Sequence, residues 1–352
     1  MLALGATLGV TACQSGPASG SLTVAGHGST APTNPAGVVG YLHVELASVT
    51  YLQWQVDSAG GLQGTEDAAA IEGSPPNESI SLTNNESFSG QVNGETVTLD
   101  INFHTDTGTV SSQGLTLNVI QTDGSIAPIS YRPASPADYN QALASLRMTA
   151  QQANQQGQQQ QDQADAIASL ARASANLDQD ASGLTEDVSS LADDVTSTGN
   201  DLASEKSDEQ TVLSEAANGT DHDTVCGDAD SVGGDADSMY GDQDSFRGDL
   251  DLLTNDLATV RDDMKTLAAN LATVQRLQPS YTGTSSAPSR DKVNQAISSA
   301  QRLITKQIGV ANGDIDKINN YIATAHKYAV AASNAGNCSA PSPRPTPVSH
   351  LK

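Results

Sequence analysis

Aromatic residues are scarce: of 352 positions one is Trp, three are Phe and eight are Tyr. Aromatic side chains dominate the burial in ordinary globular cores, so this composition excludes several large ones. Basic residues are scarce too, 16 Lys and Arg against 41 Asp and Glu, which leaves a formal net charge of −25. Nucleic-acid binding is excluded as a function class, because a phosphate backbone is held by Lys and Arg. The same imbalance opposes attachment to an anionic lipid surface and describes a heavily solvated exterior. No stretch is apolar for long enough to span a bilayer as a helix. The six histidines are scattered, and there is no nucleophile elbow, HExxH pair or phosphate loop. No catalytic residue, cofactor or metal site is assigned.

What the chain has instead is a seven-residue repeat. Val225, Val232, Met239, Phe246, Leu253, Val260, Leu267 and Val274 follow one another at steps of seven. Ala229, Ala236, Gln243, Leu250, Leu257, Met264 and Leu271 follow four residues behind. Both series fall on one narrow stripe of a helix, the seam of a coiled coil. Upstream, Leu170, Leu177, Leu184, Leu191 and Thr198 keep the same step, with Val188, Val195 and Leu202 as companions. Downstream the seam runs Val293, Ile297, Ala300, Ile304, Ile308, Ala311, Ile315, Ile318, Ile322, Ala325 and Ala329, with a stutter at Ile304 to Ala311. Three helices are expected, over about 136–217, 223–277 and 290–335. Ser135, Pro136 and Asp138 supply a cap, a first turn and a capping acid. Asn218-Gly219 supplies a stop, with His222 in the turn, and 279–289 is a Pro- and Gly-containing connection. The Gln-rich run 151–163 reads as a solvated helix face. A seam serves packing within one chain or between copies, so homo-oligomerisation stays open.

Ahead of the helices the period changes to two. Leu52, Trp54 and Val56 alternate with polar neighbours, as do Val97, Leu99, Ile101 and Phe103, and Leu115, Leu117 and Val119. Asn93-Gly94 and Asp123-Gly124 are hairpin signals whose turn residues take positive φ. The reading is an α+β chain: a small antiparallel β barrel or sandwich over 38–134, then a long three-helix coiled-coil bundle over 135–337. Residues 14–37 read as a flexible linker, 57–77 as a surface loop and 338–352 as a Pro-rich, extended or disordered tail. Tyr41, Tyr51, Trp54 and Tyr131 are the weak candidates for a ligand cleft, set against an ordinary core role. His43 and His104 lie in the strand region without a third ligand pattern for a metal.

The GDADSV, GDADSMY, GDQDSF, GDLDLL run resembles a calcium loop only in its spaced aspartates. The fifth places, where an EF-hand needs an oxygen ligand, are Val232, Met239 and Phe246, which belong to the seam. A weak acidic helix is the better reading, loosened by glycines that each cost about 1 kcal/mol relative to Ala.

The first thirteen residues, MLALGATLGVTAC, are apolar and end in small residues before a cysteine. They resemble the end of a bacterial lipoprotein signal peptide, with Val10, Thr11 and Ala12 as the lipobox and Cys13 as the lipidated first residue. The basic segment that opens such peptides is missing, as if the leader began further upstream. The resemblance implies a membrane partner reached through lipid and an extracytoplasmic location. The run LTLNVIQTDGSIAPISYRPASPADYNQAL also resembles the end of β domains in uncharacterised secreted proteins and lipoproteins of actinobacteria, which implies no activity. An exported chain keeps disulfides. With Cys13 lipidated, Cys226 and Cys338 remain. In an antiparallel hairpin of the second and third helices they stand about 78 Å and about 72 Å from the hinge at ~1.5 Å per residue, so a Cys226–Cys338 disulfide is expected. Two function classes follow: a non-enzymatic envelope lipoprotein acting as spacer or protein-docking module, or an extracytoplasmic binder of a small ligand or cell-wall glycan. A filled head favours the first, and a cleft lined by Trp54 and tyrosines the second.

Overall fold

The structure is a computed structural model that describes residues 37–101, 104–121 and 124–352. Phe103, Asp123 and the lipobox with Cys13 lie outside the described residues. Two compact units divide at Gly157/Gln158.

The first unit holds eight strands: β1 (Val39–Val44), β2 (Ser48–Val56), β3 (Gly61–Glu72), β4 (Ser79–Asn93), β5 (Thr96–Ile101), β6 (His104–Ser111), β7 (Gly114–Ile120) and β8 (Ile126–Pro133). Each pairs antiparallel with the next and β8 returns to β1, which makes a closed barrel rather than a sandwich. Closure leaves no sheet edge unpaired. Alternate positions turn inward: Tyr41, Leu52, Trp54, Leu62, Phe88, Val97, Leu99, Leu115, Leu117 and Tyr131 share one buried cluster.

The stretch 57–77, expected as a surface loop, instead contains β3. Its alternation is hidden because after the inward Leu62 the next inward places are taken by Gly64 and Glu66. Gly64 lies between Trp54 of β2 and Phe88 of β4 in the register. A Cβ on Gly64 would stand 2.4 Å from the Phe88 ring, so the strand gives up its own side chain to seat two aromatic ones. The Asn93-Gly94 signal is displaced by one residue. Asn93 pairs with Thr96 and closes β4, so the turn pair is Gly94-Glu95 and only Gly94 has positive φ, +62°. Pro75-Pro76, joined by a cis bond, lies between β3 and β4.

Helix α1 (Pro136–Ala217) starts in this unit. The Ser135 amide and hydroxyl donate to Asp138 Oδ2 at 2.7 and 2.6 Å, and the Asp138 amide donates to Ser135 Oγ. That capping box holds the Asp138 carboxyl below its ordinary pKa. Tyr139, Leu143 and Leu146 then cover the outer barrel face of Leu42, Val49, Tyr51 and Ala69. Asn154 clasps the backbone N–H and C=O of Glu78 at 2.8 Å each. The head expected over 38–134 therefore takes in the first turns of the helix as far as Gly157, because one barrel face is apolar on its outside.

In the second unit the rest of α1 packs with α2 (His222–Leu277) and α3 (Arg290–Gly336). His222, expected in the turn, is the first residue of α2. Gly219 takes φ +75° after α1, and the Thr220 amide bonds the Glu215 carbonyl across it. Seam residues of all three helices of one chain share two apolar clusters, centred on Leu184, Leu253 and Ile315 and on Val212, Val232 and Ile322.

Two glycine substitutions separate the roles of the units. Gly241 has open space where a Cβ would stand, so Gly241→Ala is expected to raise helix stability by about 1 kcal/mol, read by urea unfolding at 222 nm. Gly64→Ala is expected to destabilise the barrel by about 2 kcal/mol through overpacking. The single Trp, Trp54, reports that loss by fluorescence.

Candidate functional site

Three places in the fold were candidates for chemistry: the barrel interior, the cysteines, and the acidic repeat. Inside the barrel, Tyr41 and Trp54 stack with centroids 4.7 Å apart, and Phe88 meets Trp54 edge-on at 6.1 Å. These rings fill the interior with one another. Tyr131 belongs to the same cluster, but Tyr51 does not. Tyr51 pairs with Leu42 on the opposite face and stacks on Tyr139 of α1 at 5.7 Å. The residues proposed to line one cleft are therefore divided by the sheet, because neighbouring strand positions face opposite ways.

One end of the interior is acidic. Glu66 and the buried Asp106 stand near the Tyr131 phenol. Burial, then Glu86, Asp106 and Asp67, push the Glu66 carboxyl up, and burial does the same to Asp106 against an opposing pull from His104. Tyr131 is pushed up by burial and by Glu66, Asp106 and Glu45. His43 lies against the Tyr131 ring, with centroids 5.3 Å apart; its Nδ1 donates to the Ser130 carbonyl at 2.8 Å, and Nε2 lies 3.1 Å from Glu45 Oε1. Among the described residues no group of three or more His, Cys, Asp or Glu is arranged to hold a metal ion. An open cavity of about 220 Å³ lies against the outside of this unit, lined by Glu78, Ser79, Ile80, Arg147 and Asn154 among others.

Cys226 and Cys338 form a disulfide, with Cα atoms 5.5 Å apart. It joins the first turn of α2 to the residue beyond the α3 cap. Asn337 takes the left-handed conformation at φ +51°, and the Cys338 amide bonds the Ser333 carbonyl at 2.9 Å. Gly336 is required for space: a Cβ there would stand 2.4 Å from Cys338 Sγ and 2.9 Å from Val225 Cγ1. His222 approaches Cys226 Sγ at 3.7 Å through Nε2.

The GDADS repeat is helical throughout, with Val232, Met239 and Phe246 fully buried in the seam. Beyond the disulfide, the tail expected to be extended or disordered is extended and docked. Asn319 Nδ2 donates to the Val348 carbonyl at 2.9 Å, and Oδ1 accepts from the Val348 amide at 2.8 Å. Asn312 treats Leu351 in the same way at 3.2 and 2.8 Å. Seven helical residues rise about 10.5 Å and three extended residues about 9–10 Å, so two Asn seven apart match a backbone read every third residue. Val348 enters the helix core, and Gln243 and Arg247 of α2 donate to the Thr346 carbonyl. The tail gains order from this ladder despite its composition. The signal in the sequence was the Asn312–Asn319 spacing, which a reading by hydrophobicity passes over.

No protein-family model matches this sequence, and a search of curated proteins finds no match to it.

Each Asn contributes two tail hydrogen bonds, about 2 kcal/mol together. Asn319→Ala is expected to speed amide exchange at Val348 by roughly 30-fold while the amides of the α3 interior keep their protection. Unchanged exchange at Val348 would show that the tail is held by Val348 burial alone.

Proposed function

We propose that this chain is a non-enzymatic lipoprotein of the bacterial cell envelope, in which the barrel and a three-helix coiled coil act as a spacer and protein-docking module. The observation that carries this reading is the barrel interior, filled by its own Tyr41, Trp54 and Phe88 rings. The alternative of a small-ligand or cell-wall-glycan binder draws no support from aromatic rings that are spent on one another. The Cys226–Cys338 disulfide is compatible with an oxidising compartment outside the cytoplasm. Among the described residues no helix is long and apolar enough to cross a membrane, and attachment is assigned in this proposal to lipid on Cys13. The helix seams support the coiled coil: Leu170, Leu177, Leu184 and Leu191 on α1, and their counterparts on α2 and α3, are buried at heptad steps.

The test is the intact mass of the protein isolated from the membrane fraction of its own host. The expected mass begins at Cys13 and includes a diacylglycerol. A protein recovered free of membrane with an unmodified Cys13 overturns the anchor.

A further inference from the structure

The acidic residues between α1 and α2 are ordered. On α1, Asp180, Asp187, Asp194, Asp201, Asp208 and Glu215 each follow a seam position by three residues. On α2, Asp228, Asp235, Asp242, Asp249, Asp256 and Asp263 do the same. The helices run in opposite directions, so a step of seven up one is a step of seven down the other. Glu215 therefore meets Asp228, Asp208 meets Asp235, Asp201 meets Asp242, Asp187 meets Asp256 and Asp180 meets Asp263, in each case at carboxyl-to-carboxyl hydrogen-bonding range. Asp194 and Asp249 complete the series by repulsion across the same face. Among the described residues none of these acids forms an ion pair with Lys, Arg or His.

Two ionised carboxylates are acceptors only and repel. A proton on either turns the contact into a donor–acceptor bond. The oxygens that need such a donor are present: Asp187 Oδ2, Asp242 Oδ2, Asp263 Oδ2 and Glu215 Oε2 are buried without a partner. An independent observation points the same way. Glu205 occupies the α1 seam itself between Thr198 and Val212, is 0% exposed, and has no partner for either oxygen.

We propose that the α1–α2 face is a proton-binding latch, in which each rung takes up one shared proton and acidification closes α1 onto the α2–α3 pair. The α2–α3 pair is the fixed partner, since the Cys226–Cys338 bond and the docked tail hold it at any pH in this range.

The groups that face the latch come from every neighbouring element. Asp187 meets Asp256 and Asp249 across the face and Glu186 on its own helix; burial and these charges hold it up at about 6. Asp263 meets Asp180 and Asp262 and is likewise held at about 6. Asp242 meets Asp201 and Asp194, with the Thr198 hydroxyl opposing the rise, and Asp235 meets Asp208 and Asp201. Glu205 is raised to about 8 by burial, then by Asp235 and Glu209. From α3 come Gln307, on the Thr185 hydroxyl, and His326, on the Tyr240 hydroxyl, neither of which bonds a rung acid. Arg247 is paired with Asp244, Lys265 with Asp262 and Lys317 with Asp314, whereas Lys206 beside Glu205 and Arg261 beside Asp262 are exposed on their helices.

The sign follows from linkage. Carboxyls whose pKa is raised by folding bind protons more tightly folded than unfolded. Their stabilisation is complete below the ordinary carboxylate range near pH 4 and is lost as pH rises through about 6 for Asp187 and Asp263 and about 8 for Glu205. Most proteins are most stable between about pH 5 and 8; this helical unit gains on acidification across that window.

The test is thermal melting of the full chain followed at 222 nm, with hydrogen exchange of α1. The melting temperature at pH 5 is expected to exceed that at pH 8 by roughly 5 °C or more. Corrected for intrinsic rate, exchange across residues 180–215 slows at least about tenfold at pH 5. Glu205→Gln, and Asp187→Asn with Asp256→Asn, are expected to raise the pH 8 melting temperature and flatten the dependence. A flat or inverted pH dependence overturns the latch, as do variants that keep the wild-type slope. If a variant does not fold, carboxyl ¹³C titration of the wild-type protein decides: midpoints for Asp187 and Asp263 well above the ordinary range support the proposal, and midpoints near 4 overturn it. Millimolar calcium that stabilised the protein at pH 8 as fully as acid does would assign the rungs to divalent cations instead and overturn the proton as their ligand.

Discussion

The register between α1 and α2 is the constraint on which the second unit depends. It is set by one narrow apolar stripe on each helix, in which Leu177, Leu184 and Leu191 and the series from Val225 to Val274 are buried at steps of seven. A stripe repeating at seven residues permits shifts only in whole heptads without exposing apolar surface. Once that register is set, every residue three places beyond a seam position is carried to a fixed height. On these helices those residues are acids, so apolar burial forces like charges together. The acids oppose the packing that positions them, and protons decide how strongly.

The α2–α3 side is held by different means. Cys226–Cys338 joins the two helix ends, and the chain beyond it is clasped by Asn312 and Asn319. These are covalent and neutral hydrogen-bonded links with no titration in the range where the acids change state. One helix pair is thus fastened and the other is conditional. The same division gives the extended tail its place: the Pro-rich segment cannot form a helix, and its backbone groups find partners in side-chain amides.

The barrel follows another rule, in which the size of an inward residue is decided by its neighbours across the sheet. Trp54 and Phe88 fit because Gly64 between them has no side chain. Leu52 has Glu66 beside it and Leu99 has Asp106, so β3 and β6 set an acid against an apolar residue of the neighbouring strand. The acid pair Glu66 and Asp106 by Tyr131 results from this arrangement, and the position of no single strand would reveal it.

By itself the sequence determined the α+β class, the three helices, the capping box at Ser135 and Asp138, the buried seam and the Cys226–Cys338 pairing. Each is a local or strictly periodic feature, written in contiguous residues or in helix length. It also determined which strands carry apolar alternation. Only the tertiary structure decided that the sheet closes, that 61–72 is a strand, that Tyr51 faces away from Trp54, that Asn312 and Asn319 hold the tail, and that the acids of α1 and α2 face one another. Those features depend on residues far apart in the chain, and a side chain's environment is set by what packs opposite. Gly64, silent in a hydrophobicity pattern, has meaning only between Trp54 and Phe88; Asp187, one acid among 41 Asp and Glu, has meaning only against Asp256.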